Sequence, residues 1–223
     1  KIKVTAFIDE MQYSVPSVAL SEAARELARV GEITAQMVYD SCVALVSLER
    51  NKIQNVLAQE ENQVDPISKE LAHFINMLMN KDLTLAQQQR CFQIKNLLID
   101  IERVGDMAED IAEYALERVE NQVEFTPPAI EDLEHLWKHA QQTYLMSIQS
   151  FAEGDCEKAK QVCTRENEFD GLYGLARRAH IHRLEEGGCQ PQADVIFTEI
   201  LRILERISDR AENLAVSVMR SQA

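Results

Sequence analysis

Apolar residues recur every three or four positions through most of this chain, the spacing of α-helices with one buried face. From Ser17 to about Leu48 they are Leu20, Ala23 and Ala24, Leu27, Val30, Ile33 and Ala35, Met37 and Val38, Cys42, Leu45 and Val46. Gly31 is the one weak point in the helix they predict. The polar break Glu49-Arg50-Asn51 ends it, and Asn51 is a good N-cap for a second helix running to about Met79. Asn80-Lys81-Asp82 turns the chain, and a third helix opens near Thr84 and fades by Asn121. Thr126-Pro127-Pro128 starts a fourth, with prolines in the first turn, where a missing N–H does no harm. It ends at Glu153-Gly154. Asp155 caps a fifth that stops at Gly187-Gly188, and Pro191 opens a sixth that runs to the C-terminus. The expected fold is all-α, with six long helices in two tandem three-helix bundles. These occupy residues 17–121 and 122–223, behind a lead-in of residues 1–16 closed by Pro16.

The two halves repeat. Ile101-Glu102-Arg103-Val104-Gly105-Asp106-Met107-Ala108 returns as Leu204-Glu205-Arg206-Ile207-Ser208-Asp209-Arg210-Ala211. The apolar positions Leu97, Ile101, Val104, Ala108, Ile111 and Ala115 match Ile200, Leu204, Ile207, Ala211, Leu214 and Val218. The second helices match as well: Glu61-Asn62-Gln63-Val64-Asp65-Pro66 lines up with Glu166-Asn167-Glu168-Phe169-Asp170-Gly171. Pro66 removes one backbone hydrogen bond and frees a carbonyl near Asn62, so a kink is expected there. In an antiparallel hairpin the two Glu-x-x-x-Asp pairs of each half come level to within about one turn. Four carboxylates then converge per bundle, twice.

Composition supports helices and narrows the chemistry. The chain is 46% hydrophobic but only 6% aromatic, with 7 Gly and 5 Pro in 223 residues. A formal charge of −14 argues against nucleic acid and against an anionic lipid surface; a cationic partner or bound metal ions fit the sign. Carboxylates about 6 Å apart on one helix face repel by about 3 kcal/mol at an effective dielectric near 20. Arg103 and Arg206 would offset part of that, and a metal ion more. All-oxygen donors suit hard cations such as iron(III), manganese, magnesium or calcium, with zinc also compatible. The competing reading is a solvated acid face, since one Glu-x-x-x-Asp means little among 37 acids; four copies at corresponding places carry the weight.

Other motifs are weaker. The five histidines do not recur between halves, and Glu70-Leu71-Ala72-His73 is a lone Glu-x-x-His, whereas a ferritin-like site needs two. Five cysteines without a Cys-x-x-Cys read as reduced thiols of a cytosolic compartment. No phosphate loop, nucleophile elbow or Ser/His/Asp set is visible, so a non-catalytic protein is expected.

Two three-helix repeats, each carrying Glu-Arg-[hydrophobic]-[small]-Asp-x-Ala-x-[Asn/Asp]-[hydrophobic]-Ala on its third helix, resemble the PhoU domain from about residue 17 onward. The resemblance implies two bundles related by a pseudo-two-fold, acid patches holding multinuclear iron or zinc, and regulation of phosphate uptake. Its metal ligands would be Glu61, Asp65, Glu102 and Asp106 in the first repeat and Glu166, Asp170, Glu205 and Asp209 in the second. Asp110 stands where the second repeat has Asn213, adding an acid to the first site. A homodimer is a further expectation. Phe7-Ile8-Asp9-Glu10-Met11, Pro16-Ser17-Val18-Ala19-Leu20 and Ala24-Arg25-Glu26-Leu27 are similar to the junction before PhoU-like domains at the C-terminus of bacterial sodium/phosphate cotransporters. That similarity, and a start at Lys1 rather than Met, imply the cytosolic regulatory part of a transporter whose membrane domain lies in the same polypeptide. It would be tethered to the inner membrane through a transmembrane region outside this sequence. The alternatives are a free-standing PhoU-type regulator working with an ABC-type phosphate transporter and its sensor kinase, or a metal-free helical adaptor docking a basic partner.

Overall fold

The computed structural model describes residues 3–221; Lys1, with Ile2, Gln222 and Ala223, lies outside the described residues. A 3-10 turn, Glu10–Ser14, leads into α1 (Pro16–Ser47). Then α2 (Arg50–Gln59), a π turn (Glu60–Val64) and α3 (Asp65–Met79) run on as one rod. Next come α4 (Leu85–Glu120), α5 (Pro127–Glu153), α6 (Cys156–Glu185) and α7 (Pro191–Arg220). Six rods therefore stand where six helices were expected, and among the described residues no regular element is a strand.

The helix ends follow local chemistry. Thr84 accepts the Gln87 N–H at 3.2 Å while the Gln87 side chain accepts the Thr84 N–H at 3.0 Å, a reciprocal cap on α4. Asp155 accepts the Lys158 N–H at 2.9 Å at the start of α6. Asn51 does not cap the second rod. α2 begins at Arg50, two residues earlier than an Asn51 cap would place it, with Glu49 at the N-cap position and no side-chain cap bond. The reason lies in the turn: Leu48 takes a left-handed conformation, φ 57°, and gives its N–H to Ala44, so two residues suffice to reverse the chain.

All twelve apolar positions matched between the repeats are buried, on α4 in one half and α7 in the other. In the first bundle α1 packs on α4 and on the α2–α3 rod; in the second α5, α6 and α7 pack on one another. The bundles join through two antiparallel seams, α1 on α5 and α4 on α7, under one continuous apolar core. On the first seam, the Thr34 hydroxyl and Tyr144 OH are hydrogen-bonded at 2.7 Å, and Gln141 donates to the Ala35 carbonyl at 3.2 Å. On the second, Arg210 pairs with Asp100 at 2.6 Å and Gln93 donates to the Ser217 carbonyl at 3.2 Å. At Gly31 α1 and α5 approach so closely that a Cβ there would collide with the Ile148 side chain. The weak helix former is thus placed by packing between bundles. The lead-in is tied down by the buried Glu26 carboxylate, which accepts the N–H groups of Ala6 and Phe7 at 3.0 and 2.8 Å.

Candidate functional site

The face that carries the acids on α4 is longer than one Glu-x-x-x-Asp. Glu102, Asp106 and Glu109 stand at i, i+4 and i+7, and Glu205, Asp209 and Glu212 repeat the spacing on α7. Burial of the matched apolar residues fixes which way this face turns. Each neighbouring rod then adds one deep and one shallow carboxylate. In the second bundle these are Glu166, 8% exposed, and Asp170, four residues apart on the regular helix α6.

In the first bundle the deep carboxylate is Glu60, only 5% exposed, and the shallow one is Asp65, five residues on. The π turn reconciles the two spacings. The Asp65 N–H bonds to the Glu60 carbonyl, closing a ring one residue wider than in an α-helix. Five residues therefore complete about one turn, and Glu60 takes the place that Glu166 holds in the other repeat. Pro66 follows directly; its ring would crowd the Asn62 carbonyl of a regular helix, and a wider turn removes that conflict. Gly171 imposes no such demand, and α6 runs through it unbroken.

Gly105 makes the room. A Cβ at this position would meet Glu60 Oε2 at 2.7 Å and Oε1 at 3.2 Å, so the carboxyl lies against bare α4 backbone. Its Oε2 is buried with no hydrogen-bond partner. Burial first, then Asp106, Glu109, Asp65 and Glu102, push the Glu60 carboxyl up to about 8. Glu166 is raised in the same way to about 7, by burial and then by Asp170, Glu212, Asp209 and Glu205. Glu102, Asp106, Glu109 and Asp209 also lie above the usual carboxylate range, burial again the leading cause.

The structure brings together most, not all, of the acids read from the sequence. Asp65, Glu102 and Asp106 face one another with Glu60 and Glu109; Glu166, Asp170, Glu205 and Asp209 do so with Glu212. Glu61 is exposed and lines a cleft between the lead-in and α3, beside His73 and Tyr13. Asp110 is exposed as a residue, yet partial burial of its carboxyl, then Glu113 and Asp106, raise it above the usual carboxylate range, and Arg206 of α7 offsets part of that rise. Arg206 thus serves the neighbouring repeat, while Arg103 and Arg210 temper Asp106 and Asp209. Glu109 and Glu212 were readable from their i+7 spacing. Glu60 was not, because only the wider turn aims it inward.

As placed, no group of three or more His, Cys, Asp or Glu among the described residues is arranged to hold a metal ion. Each cluster is an open acid patch rather than a closed cage. Its donor chemistry nevertheless fits a hard cation, and Glu60 Oε2 is a buried acceptor with nothing to accept.

Comparison with known proteins points one way. The family model described as the PhoU domain matches twice, over residues 27–115 and 133–218. A phosphate-specific transport system accessory protein PhoU homolog of Clostridium acetobutylicum is 25% identical over 205 residues, 90% of each chain. The Escherichia coli accessory protein PhoU is 23% identical over 190 residues, covering 83% of this chain and 76% of its own. Among solved structures, PhoU from Pseudomonas aeruginosa superposes with a TM-score of 0.83 at 22% identity, covering 91% of this chain and 96% of its own. The regulatory protein PhoU from Streptococcus pneumoniae gives 0.81 at 16%, covering 93% and 97%.

Proposed function

Because the chain belongs to the PhoU domain family, we propose that it is an accessory regulator of a phosphate transport system, its two acid clusters taking up cations. The observation that carries the reading is the twofold match, one to each bundle, with curated relatives of the same name aligned over nine-tenths of the chain. The role is regulatory: the protein changes what a transporter does and transforms no substrate itself. Its partner is the transport machinery on the cytoplasmic side of the membrane. None of the relatives named above is a cotransporter, and they favour a PhoU-type accessory protein over a domain fused to one. Among the described residues no helix is long and apolar enough to cross a membrane.

Within the clusters, Glu60, Asp65, Glu102, Asp106 and Glu109 would hold a cation in the first bundle, and Glu166, Asp170, Glu205, Asp209 and Glu212 in the second. A bound cation would neutralise carboxylates that otherwise repel across the helices, so it would tighten each hairpin. Phosphate uptake, measured in the host with the gene deleted and restored at fixed external phosphate, tests the role. Deletion should change uptake and the intact gene restore it; unchanged uptake would overturn the reading. Metal analysis of protein purified without chelator tests the clusters separately. Less than about one ion per chain, unaffected by Asp106→Asn with Asp209→Asn, would reject cation binding and leave a helical adaptor for a basic partner.

A further inference from the structure

The chain carries −14 overall, yet one cavity of 710 Å³ beside the start of α1 is lined by three arginines, Arg25, Arg29 and Arg90. The arginines differ in what they already hold. Arg29 is committed: it pairs with the buried Glu26 and donates to the Val4 carbonyl at 3.0 Å, anchoring the lead-in. Arg25 lies over the Phe7 ring, 4.1 Å from its centre, and shares only a solvent-exposed pair with Glu22, which a stronger ligand displaces at little cost.

Arg90 has no carboxylate partner among the described residues. It donates to the Gln93 side-chain oxygen and lies over Phe151, 5.0 Å from the ring centre. A half-buried guanidinium without a counter-charge is costly to keep, and burial lowers its proton affinity. The hydroxyls of Ser17 and Ser21, one turn apart on α1, face the same cavity with no hydrogen-bond partner among the described residues. Between them the floor is apolar, formed by Leu20, Ala24 and Ala28. Glu32 is the one acid in the lining.

We propose that this cavity binds an organic phosphate of nucleotide size, its phosphate on Arg90 and Arg25 and its flat or apolar body along the α1 floor. Planar guanidinium groups match phosphate oxygens in number and geometry, and serine hydroxyls complete such a site without adding charge. Inorganic phosphate would leave most of the volume and the whole apolar floor unused, whereas cavities of this size suit small organic ligands. Arg90 precedes Glu102 by twelve residues, about 18 Å along α4. The cavity is therefore a separate site from the acid clusters.

Titration calorimetry of the full chain in EDTA, which removes metal-bridged binding at the acid clusters, tests the site with three probes. Adenosine 5′-monophosphate should bind, while adenosine and inorganic phosphate each bind at least roughly tenfold more weakly. Arg90→Gln should weaken the monophosphate by roughly tenfold or more with an unchanged melting curve, and Arg202→Gln, on the exposed face of α7, should not. If Arg90→Gln fails to fold, Arg25→Gln, whose side chain is exposed, gives the same readout. No heat from the monophosphate at millimolar concentration would overturn the proposal. So would equal weakening by Arg202→Gln, or inorganic phosphate or adenosine binding as tightly as the monophosphate.

Discussion

A buried carboxyl with no hydrogen-bond partner is held by the geometry around it, and Glu60 is such a group. Its ordinary value is 4.5 and its folded value about 8. Below 4.5 the group is protonated in both folded and unfolded chains, and it contributes no charge penalty. Between 4.5 and 8 the unfolded chain releases a proton that the folded chain keeps, so stability falls as pH rises; above 8 the loss is complete. Melting in chelator should therefore be lower at pH 8 than at pH 5. Glu60→Gln should raise the pH 8 melting temperature, by about 2–4 °C for each kcal/mol recovered, and change the pH 5 value little. Equal pH slopes in the two proteins would contradict the burial of this charge. Gly105 is the second half of the same arrangement. Gly105→Ala puts a methyl 2.7 Å from Glu60 Oε2, and should cost about 1–3 kcal/mol in chemical denaturation. Much of that cost should vanish in a Glu60→Ala background, where the clash is absent.

At the scale of elements, the question is how one extra residue leaves the two sites alike. Asn62, Gln63, Val64 and Asp65 correspond to Asn167, Glu168, Phe169 and Asp170, with Val64 and Phe169 both buried. Asn62 and Asn167 even bond alike, each to the carbonyl four residues back, at 2.8 and 2.9 Å. The surplus residue is therefore Glu61, and the π turn absorbs it. A chain lacking Glu61 and carrying Pro66→Ala should form one regular helix from α2 to α3, with Glu60 four residues before Asp65 and still facing Asp106. Its stability should lie within about 1 kcal/mol of the parent. A crystal structure with the remaining glutamate turned to solvent would show that the π turn does not serve to absorb Glu61.

The same turn marks where the sequence stopped being legible. The apolar period, the caps at Thr84 and Asp155 and the repeated Glu-Arg-x-x-Asp all survive into the structure, because each is set by neighbours within one or two turns. Asp65, Asp106, Asp170 and Asp209 were legible for the same reason. Glu60 was not: in ungapped alignment Glu61 sits opposite Glu166, and only a one-residue change of helical phase exchanges Glu60 for its neighbour. Gly105 shows the same dependence on a partner remote in sequence. It is a socket for a carboxyl, while its counterpart Ser208 has a buried hydroxyl with no partner. That distinction depends on what lies across the groove, and no local pattern encodes it.

Over the whole molecule the duplication places two equivalent acid clusters on a shared core, joined by the α1–α5 and α4–α7 seams. Arg210 pairs with Asp100 across the second seam at 2.6 Å, so the two repeats are tied electrostatically as well as by packing. We propose that the clusters are counterparts, Glu60 matching Glu166, and that both take up cations. Manganese bound per chain, measured by equilibrium dialysis on the parent, Glu60→Gln, Glu61→Gln and Glu166→Gln, tests it most directly. Glu60→Gln and Glu166→Gln should each lose about half of the bound metal, while Glu61→Gln retains the parent's content. Loss with Glu61→Gln but not Glu60→Gln, or no manganese on the parent chain, would contradict it.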